Sequence, residues 1–215
     1  TRLRWLDDQL YGTWHTLQRA VAARLPRQGR PVFLPGDGGV LEPNGPVLED
    51  YRESMKAAPQ PPAVGSGERP RAVLLTQPWA ADGQIDPDAE KQLLGKVLGR
   101  LRERGFEVLV KPHPREPAGK YETMFAEQQA PGELLPQAVT VERLFPALGE
   151  GDIVVGYNST SLLTAALLYG LRVYTIGDTQ PCREQTGGWY RRTQDGFVEL
   201  AGDSVGDFEQ EFGEV

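Results

Sequence analysis

Apolar residues recur along this chain first at helical spacing and later in short runs set between helices. Leu3, Leu6, Leu10, Trp14, Leu17, Val21 and Leu25 fall on one face of a helix predicted over 1–25, which Pro26 and Gly29 end. The run Pro31 to Leu34 reads as a short strand, with Pro35-Gly36-Asp37-Gly38-Gly39 as the turn at its tip. From Glu42 to Pro70 proline and glycine recur around a polar helical piece near 48–57, the composition of a connector. Past Pro70 the pattern becomes regular. Strands are predicted at 72–76, 106–110, 153–155 and 173–176, with a helix over 87–104 after the capping Asp86 and another over 159–169 before Gly170. The acidic tail keeps Phe197, Val198, Phe208 and Phe212 for a last helix against the body.

Strands that alternate with helices imply an α/β fold: a parallel sheet covered on both faces, with right-handed crossovers that bring the strand tips to one edge. Gln77, His113 and the segment Tyr157 to Ser161 all follow predicted strand tips. Open α/β sheets collect their ligands at that edge.

Composition narrows the classes. The 215 residues are 39% hydrophobic and 25% charged, enough for a proper core. A net charge of -7 and a pI near 5.0 argue against a broad basic surface, so nucleic acid is not an expected partner. The single cysteine, Cys182, can form no internal disulfide and has no companion for a metal cage. No apolar stretch reaches the length of a membrane span and no signal peptide is visible, which makes a cytoplasmic location the expectation. The helix over 1–25 is amphipathic, yet Asp7 and Asp8 suit it poorly to an anionic interface, so peripheral contact with the inner face of the membrane stays an open question. The chain starts with Thr1, which leaves room for an upstream segment.

Two segments carry the candidate chemistry. Lys111-Pro112-His113-Pro114-Arg115-Glu116 places an imidazole just past an apolar strand. Tyr157-Asn158-Ser159-Thr160-Ser161 places hydroxyls and unpaired backbone N–H groups at a helix start, a ready anion site. Together they read as the two halves of a nucleotide-phosphate site.

In spacing and order, Asp37-Gly38, Gln77-Pro78, the Lys111 to Glu116 segment and Asn158-Ser159-Thr160-Ser161-Leu162 resemble the bacterial sialyltransferases of GT-B fold. The likeness is especially to the lipooligosaccharide sialyltransferase and capsular polysialyltransferase types, which carry an acidic-Gly, a His-Pro and a Ser/Thr motif in this order. The resemblance covers about the C-terminal two thirds and implies a Rossmann-like, C-terminal nucleotide-binding domain over 71–215, a linker over 59–70, and over 1–58 the remnant of an acceptor-side domain. It implies transfer of sialic acid from CMP-sialic acid to a glycan acceptor hydroxyl by an inverting route with no metal or other cofactor. Asp37 would be the base and His113 the donor to the departing phosphate. Ser159, Thr160 and Ser161 would bind the phosphate oxygens beside Asn158, Glu142 would hold the ribose hydroxyls, and Gln77 and Pro114 would complete the nucleotide site.

Plainer readings stand beside these. Asp before Gly is a common turn, and Gly36 stands where the family motif often has a second acidic residue. Ser159 suits a simple N-cap, Glu142 an exposed ion pair, and His113 a turn boxed by two prolines. Asp86-Pro87-Asp88 imitates a metal-binding Asp-x-Asp, but its position before a helix is that of a cap. His15 makes no zinc site in a chain of two histidines, and the Arg191-Arg192 pair near Trp189 and Tyr190 reads as a surface ion pair ahead of a contact for an anionic acceptor. A transferase using CDP-glycerol or a capsule sugar nucleotide, or a non-catalytic nucleotide-sugar binding module, would share the same motifs.

Overall fold

The computed structural model describes residues 50, 53–57, 68–128, 132–157, 159–177, 179, 182 and 205–215, all within the unit of residues 49–215. The predicted helix over 1–25, the strand before Asp37, Asp37 itself, Asn158, Phe197, Val198 and the Arg191-Arg192 pair lie outside the described residues, as does His15. Residues 53–57 are helical, within the polar piece expected at 48–57.

Strand β1 (Arg71–Leu75) leads through helix α1 (Pro87–Glu103) to β2 (Glu107–Lys111). Helix α2 (Lys120–Gln128) and the two-residue β3 (Glu133–Leu134) follow, then single 3-10 turns at Val141–Arg143 and Phe145–Ala147. Strand β4 (Ile153–Gly156), helix α3 (Thr160–Tyr169), β5 (Arg172–Thr175), β6 (Val205–Asp207) and helix α4 (Phe208–Phe212) complete the described chain. The six strands lie in the order β3-β2-β1-β4-β5-β6, and every neighbouring pair is parallel. The fold is α/β and Rossmann-like, and its strand order reverses between β1 and β4.

Parallel strands covered on both faces need apolar residues at every position, and β1 and β4 have them: Ala72 to Leu75 and Ile153 to Gly156 are buried. The two-residue period sends alternate side chains to separate cores. Ala72, Leu74, Val108, Val110, Ile153 and Val155 pack with Leu94, Leu98 and Leu101 of α1. Val73, Leu75, Leu109, Val154 and Val173 pack on the other face with Leu162 and Ala166 of α3 and with Phe145.

Local signals set the helix ends. Asp86 caps α1 by accepting from the N–H groups of Asp88 and Ala89, each at 3.0 Å, and Pro87 takes the first helical position. This is the capping arrangement expected of Asp86-Pro87-Asp88. Helix α3 ends at Gly170 with φ 63°, where the N–H groups of Gly170 and Leu171 bond back to Ala166 and Ala165. Strands β1 and β2 sit one residue away from their predicted bounds, so Lys111 closes a strand instead of opening a turn. Helix α2 and strands β3 and β6 were not predicted: α2 buries only Tyr121 and Met124 among its apolar residues, and the strands are two and three residues long. In the tail, Phe208 and Phe212 are buried and stacked at 4.6 Å, although the helix that carries them has only five residues.

Candidate functional site

A cleft of about 530 Å³ opens at the carboxyl ends of the strands, beside the reversal of strand order. Its walls are the segments that follow β1, β2, β3 and β4. Gln77, His113, Pro114, Glu142, Ser159, Thr160 and Ser161 all line it. Of the predicted site residues only Asp37 and Asn158 are left over, both outside the described residues.

The His113 wall is built on Glu116. Glu116 Oε2 accepts the His113 N–H at 2.9 Å and the Thr76 hydroxyl, while Oε1 accepts from the Tyr121 hydroxyl at 2.6 Å and from Lys120 at 2.8 Å. Thr76 Oγ1 also accepts from the His113 N–H at 3.1 Å, so the strand end of β1 and the turn after β2 share one bond set. From the far side, Gln137 Nε2 donates to the carbonyls of His113 (2.7 Å) and Glu116 (3.0 Å). The imidazole itself is fixed by one bond: Nδ1 accepts the Arg115 N–H at 3.2 Å. With that lone pair occupied, the neutral ring carries its proton on Nε2 and is a donor there. Partial burial lowers the His113 pKa below the ordinary histidine value, and the Arg115 charge lowers it further, against opposing pulls from Glu116 and Asp82.

The opposite wall is the start of α3. Ser159 is its N-cap, with Oγ accepting the Ser161 N–H at 3.3 Å. The Ser161 hydroxyl donates to Glu142 Oε1 at 2.5 Å. That bond alters the expected division of labour, because the Ser161 hydroxyl proton is spent on a carboxylate. The hydroxyl protons of Ser159 and Thr160, with the Thr160 N–H at the first helical position, remain the donors at this end, since the Ser161 N–H is taken by Ser159 Oγ and the Leu162 N–H by the Ser159 carbonyl.

Charge in the cleft is mixed. Lys111 is buried, and its ammonium donates to the carbonyls of Pro112 (2.8 Å) and Gln137 (3.0 Å). Burial lowers its pKa, with Glu142 and Glu116 opposing. Arg115, largely exposed, pairs with Asp82 at 3.0 Å. Lys120 reaches back from Glu116 to the buried Glu90 of α1. Burial alone would lower the Lys120 pKa, but the bonds to Glu116 and Glu90 outweigh it and hold the ammonium above the ordinary lysine value. Burial pushes the Cys182 thiol up to about 12, which keeps it protonated and unreactive.

Sequence reasoning passed over Thr76, Lys111, Glu116 and Gln137 as site residues. Lys111 and Glu116 stand inside the His-Pro segment itself, and a charged residue within reach of a His-Pro turn is the one signal that points to them. Thr76 and Gln137 carry none, since each meets His113 only across the sheet edge or a loop.

With this geometry in view, the family model described as alpha-2,8-polysialyltransferase matches residues 61–178, more than half of the chain. The matched span contains β1 through β5 and every described segment that lines the cleft. No curated protein matches the chain.

Proposed function

The chain belongs to the alpha-2,8-polysialyltransferase family, a family of sialyltransferases and hence of glycosyltransferases, and from that premise we propose that it transfers sialic acid from CMP-sialic acid to a glycan hydroxyl by an inverting, metal-independent route. The donor's CMP lies in the cleft at the strand ends, with its phosphate between His113 Nε2 and the first turn of α3 and its ribose on Glu142. The observation that carries this reading is the convergence in one cleft of an imidazole whose Nε2 bears the proton, a helix start with two hydroxyls whose protons are still to give, and a carboxylate.

The chemistry asks for these groups. The acceptor oxygen bonds to the anomeric carbon as the bond to the phosphate oxygen breaks, and the electron pair leaves with CMP. Charge grows on the phosphate in the transition state, where positioned donors stabilise it without having to reorganise. His113 and the α3 N-terminus supply those donors, which is the role a metal ion would otherwise fill. The acceptor's proton goes to a base, and motif order assigns that role to Asp37. The resemblance to GT-B enzymes further assigns residues 1–58 to the acceptor side and 71–215 to the donor side. Glu142 has one oxygen engaged by Ser161 and the other available for a ribose hydroxyl.

Calorimetric titration with CMP, CDP and UMP in the presence of a chelator tests the reading, on the wild type and on His113→Ala. Selective binding of CMP that weakens in the variant is the expected result. Binding that requires a divalent cation would remove the metal-independent route. Equal binding of all three nucleotides, or binding indifferent to His113→Ala, would overturn the donor site. Asp37→Asn is expected to abolish turnover while CMP affinity is retained, because a base acts mainly in the transition state.

A further inference from the structure

Glu116 is only 5% exposed, a buried carboxylate one residue past the Lys111 to Arg115 segment that lines the cleft. Burying such a group costs several kcal/mol, and a well-packed apolar replacement for a buried ionic cluster is often as stable. What the arrangement delivers is therefore geometry. Its four donors come from three elements: Thr76 at the end of β1, the backbone of His113 after β2, and Lys120 and Tyr121 at the start of α2. The Glu116 N–H closes the turn onto the His113 carbonyl at 3.0 Å, and Lys120 extends the network to Glu90 in α1.

We infer that Glu116 is a positioning residue for the transfer, a buried clamp whose Oε2 seizes the His113 N–H while Oε1 is anchored to α2, so that the imidazole presents Nε2–H to the leaving phosphate. The inference rests on the donor-site reading above. It also assigns Thr76 to the clamp, since its hydroxyl accepts from His113 and donates to Glu116. A carboxylate is suited to this place because it accepts along four lone-pair directions at once; an amide in the same position must turn a donor toward Lys120 or Tyr121. Holding a reacting group in place by locked second partners is how precise sites are kept precise.

The test uses the full chain labelled with 15N, as wild type, Glu116→Gln and the isosteric Thr76→Val. The chain has two histidines, so the His113 ring signals are assigned by their loss in His113→Ala. Imidazole nitrogen shifts report the tautomer, and CMP release from CMP-sialic acid with oligosialic acid as acceptor reports kcat and KM. The wild type is expected to hold the single Nε2–H form. Both variants are expected to show mixed tautomers and a kcat lower by about 10- to 100-fold, the scale of a misplaced catalytic group, with KM little changed. A merely structural role would lower thermal stability and leave the ring signals and kcat per folded molecule where they were; that result in both variants overturns the clamp. If the wild type proves neither to bind nor to turn over the donor, the donor-site reading fails, but the ring signals still decide the clamp: mixing in the variants upholds it and constancy overturns it.

Discussion

The two ends of the sheet each hold a buried carboxylate saturated with donors, and only one of them faces a site. At the amino ends, Asp152 accepts the Arg71 N–H at 2.6 Å, the Gly149 N–H at 2.8 Å and the Arg71 guanidinium at 2.6 and 3.2 Å, while Arg71 also reaches the Ala147 carbonyl at 2.6 Å. That set ties the start of β1 to the loop before β4 and ends there. At the carboxyl ends, Glu116 gathers a comparable set, but one of its partners carries an imidazole into the cleft. Volume does not separate the two ends, since a hollow of about 760 Å³ near Asp152 is larger than the cleft of about 530 Å³. What separates them is direction. In a parallel sheet the strands deliver their following loops and the helix starts to one edge, and helix N-termini favour anions. A carboxylate at that edge organises groups that stay available to a ligand, whereas its counterpart at the other edge only staples strands.

The contrast between the two ends is tested hardest by His113→Ala. Losing a preorganised donor to the leaving group should lower kcat by about 100- to 1000-fold, with little change in thermal stability, as CMP release and calorimetric melting would read. A fall in stability that matches the fall in turnover would make the carboxyl end structural too. Next in size, Asp152→Asn should destabilise the fold by about 3 kcal/mol, because a buried ion pair loses one partner, while kcat per folded molecule is unchanged. Burial raises the Asp152 pKa, but the Arg71 bonds and the backbone N–H groups outweigh it and hold the carboxyl below the ordinary aspartate value. The stabilisation it contributes is therefore present above that ordinary value and lost as pH falls through the folded one, so the stability gap between wild type and variant should close in acid.

A smaller effect sharpens the cleft itself. Glu142→Gln should weaken CMP binding by about tenfold, on the order of one hydrogen bond to a charged group, and Ser161→Ala by less. Because the two side chains share a bond of 2.5 Å, the double variant should fall short of the sum of the single losses. Additive losses would mean that Ser161 acts on the phosphate independently. The smallest effect concerns protons. His113 should titrate below the ordinary histidine value in the free chain, and CMP should raise its pKa, since a phosphate on Nε2 favours the charged ring. In the absence of ligand, the stability linked to His113 is present above the ordinary value and lost as pH falls through the folded one, when a proton on Nδ1 displaces the Arg115 N–H. NMR titration of the ring with and without CMP reads both; a value that CMP leaves unmoved would place the phosphate elsewhere.

Much of the architecture could be read from the chain because parallel strands announce themselves as unbroken apolar runs. Ala72 to Leu75 and Ile153 to Val155 are buried on both sides, so their sequence has no polar alternation to confuse. The caps at Asp86 and Ser159 and the stop at Gly170 are local matters of backbone bonding and were equally legible. Helix α2 was not, because its stability comes from Tyr121 and Met124 packing into the core formed by other elements. At the site, the residues whose chemistry is intrinsic, an imidazole after a strand and hydroxyls at a helix start, stood out. The residues that act by reaching another element did not: Thr76 and Glu116 are forty positions apart, and no spacing rule joins them.

The α/β class, the positions of the central strands and the identity of the groups at their tips are written in short stretches of chain, because hydrophobic period, capping and turn chemistry act over a few residues. Packing in three dimensions is what sets β1 and β4 side by side, reverses the order between them, and so brings His113, Glu142 and Ser159 to one cleft. It also decided which proton each group has left to give: Nε2 of His113 is free because Arg115 takes Nδ1, and the Ser161 hydroxyl is spent because Glu142 takes it. Hydrogen-bond partners are assigned by proximity in space, and proximity between distant residues exists only once the core has packed.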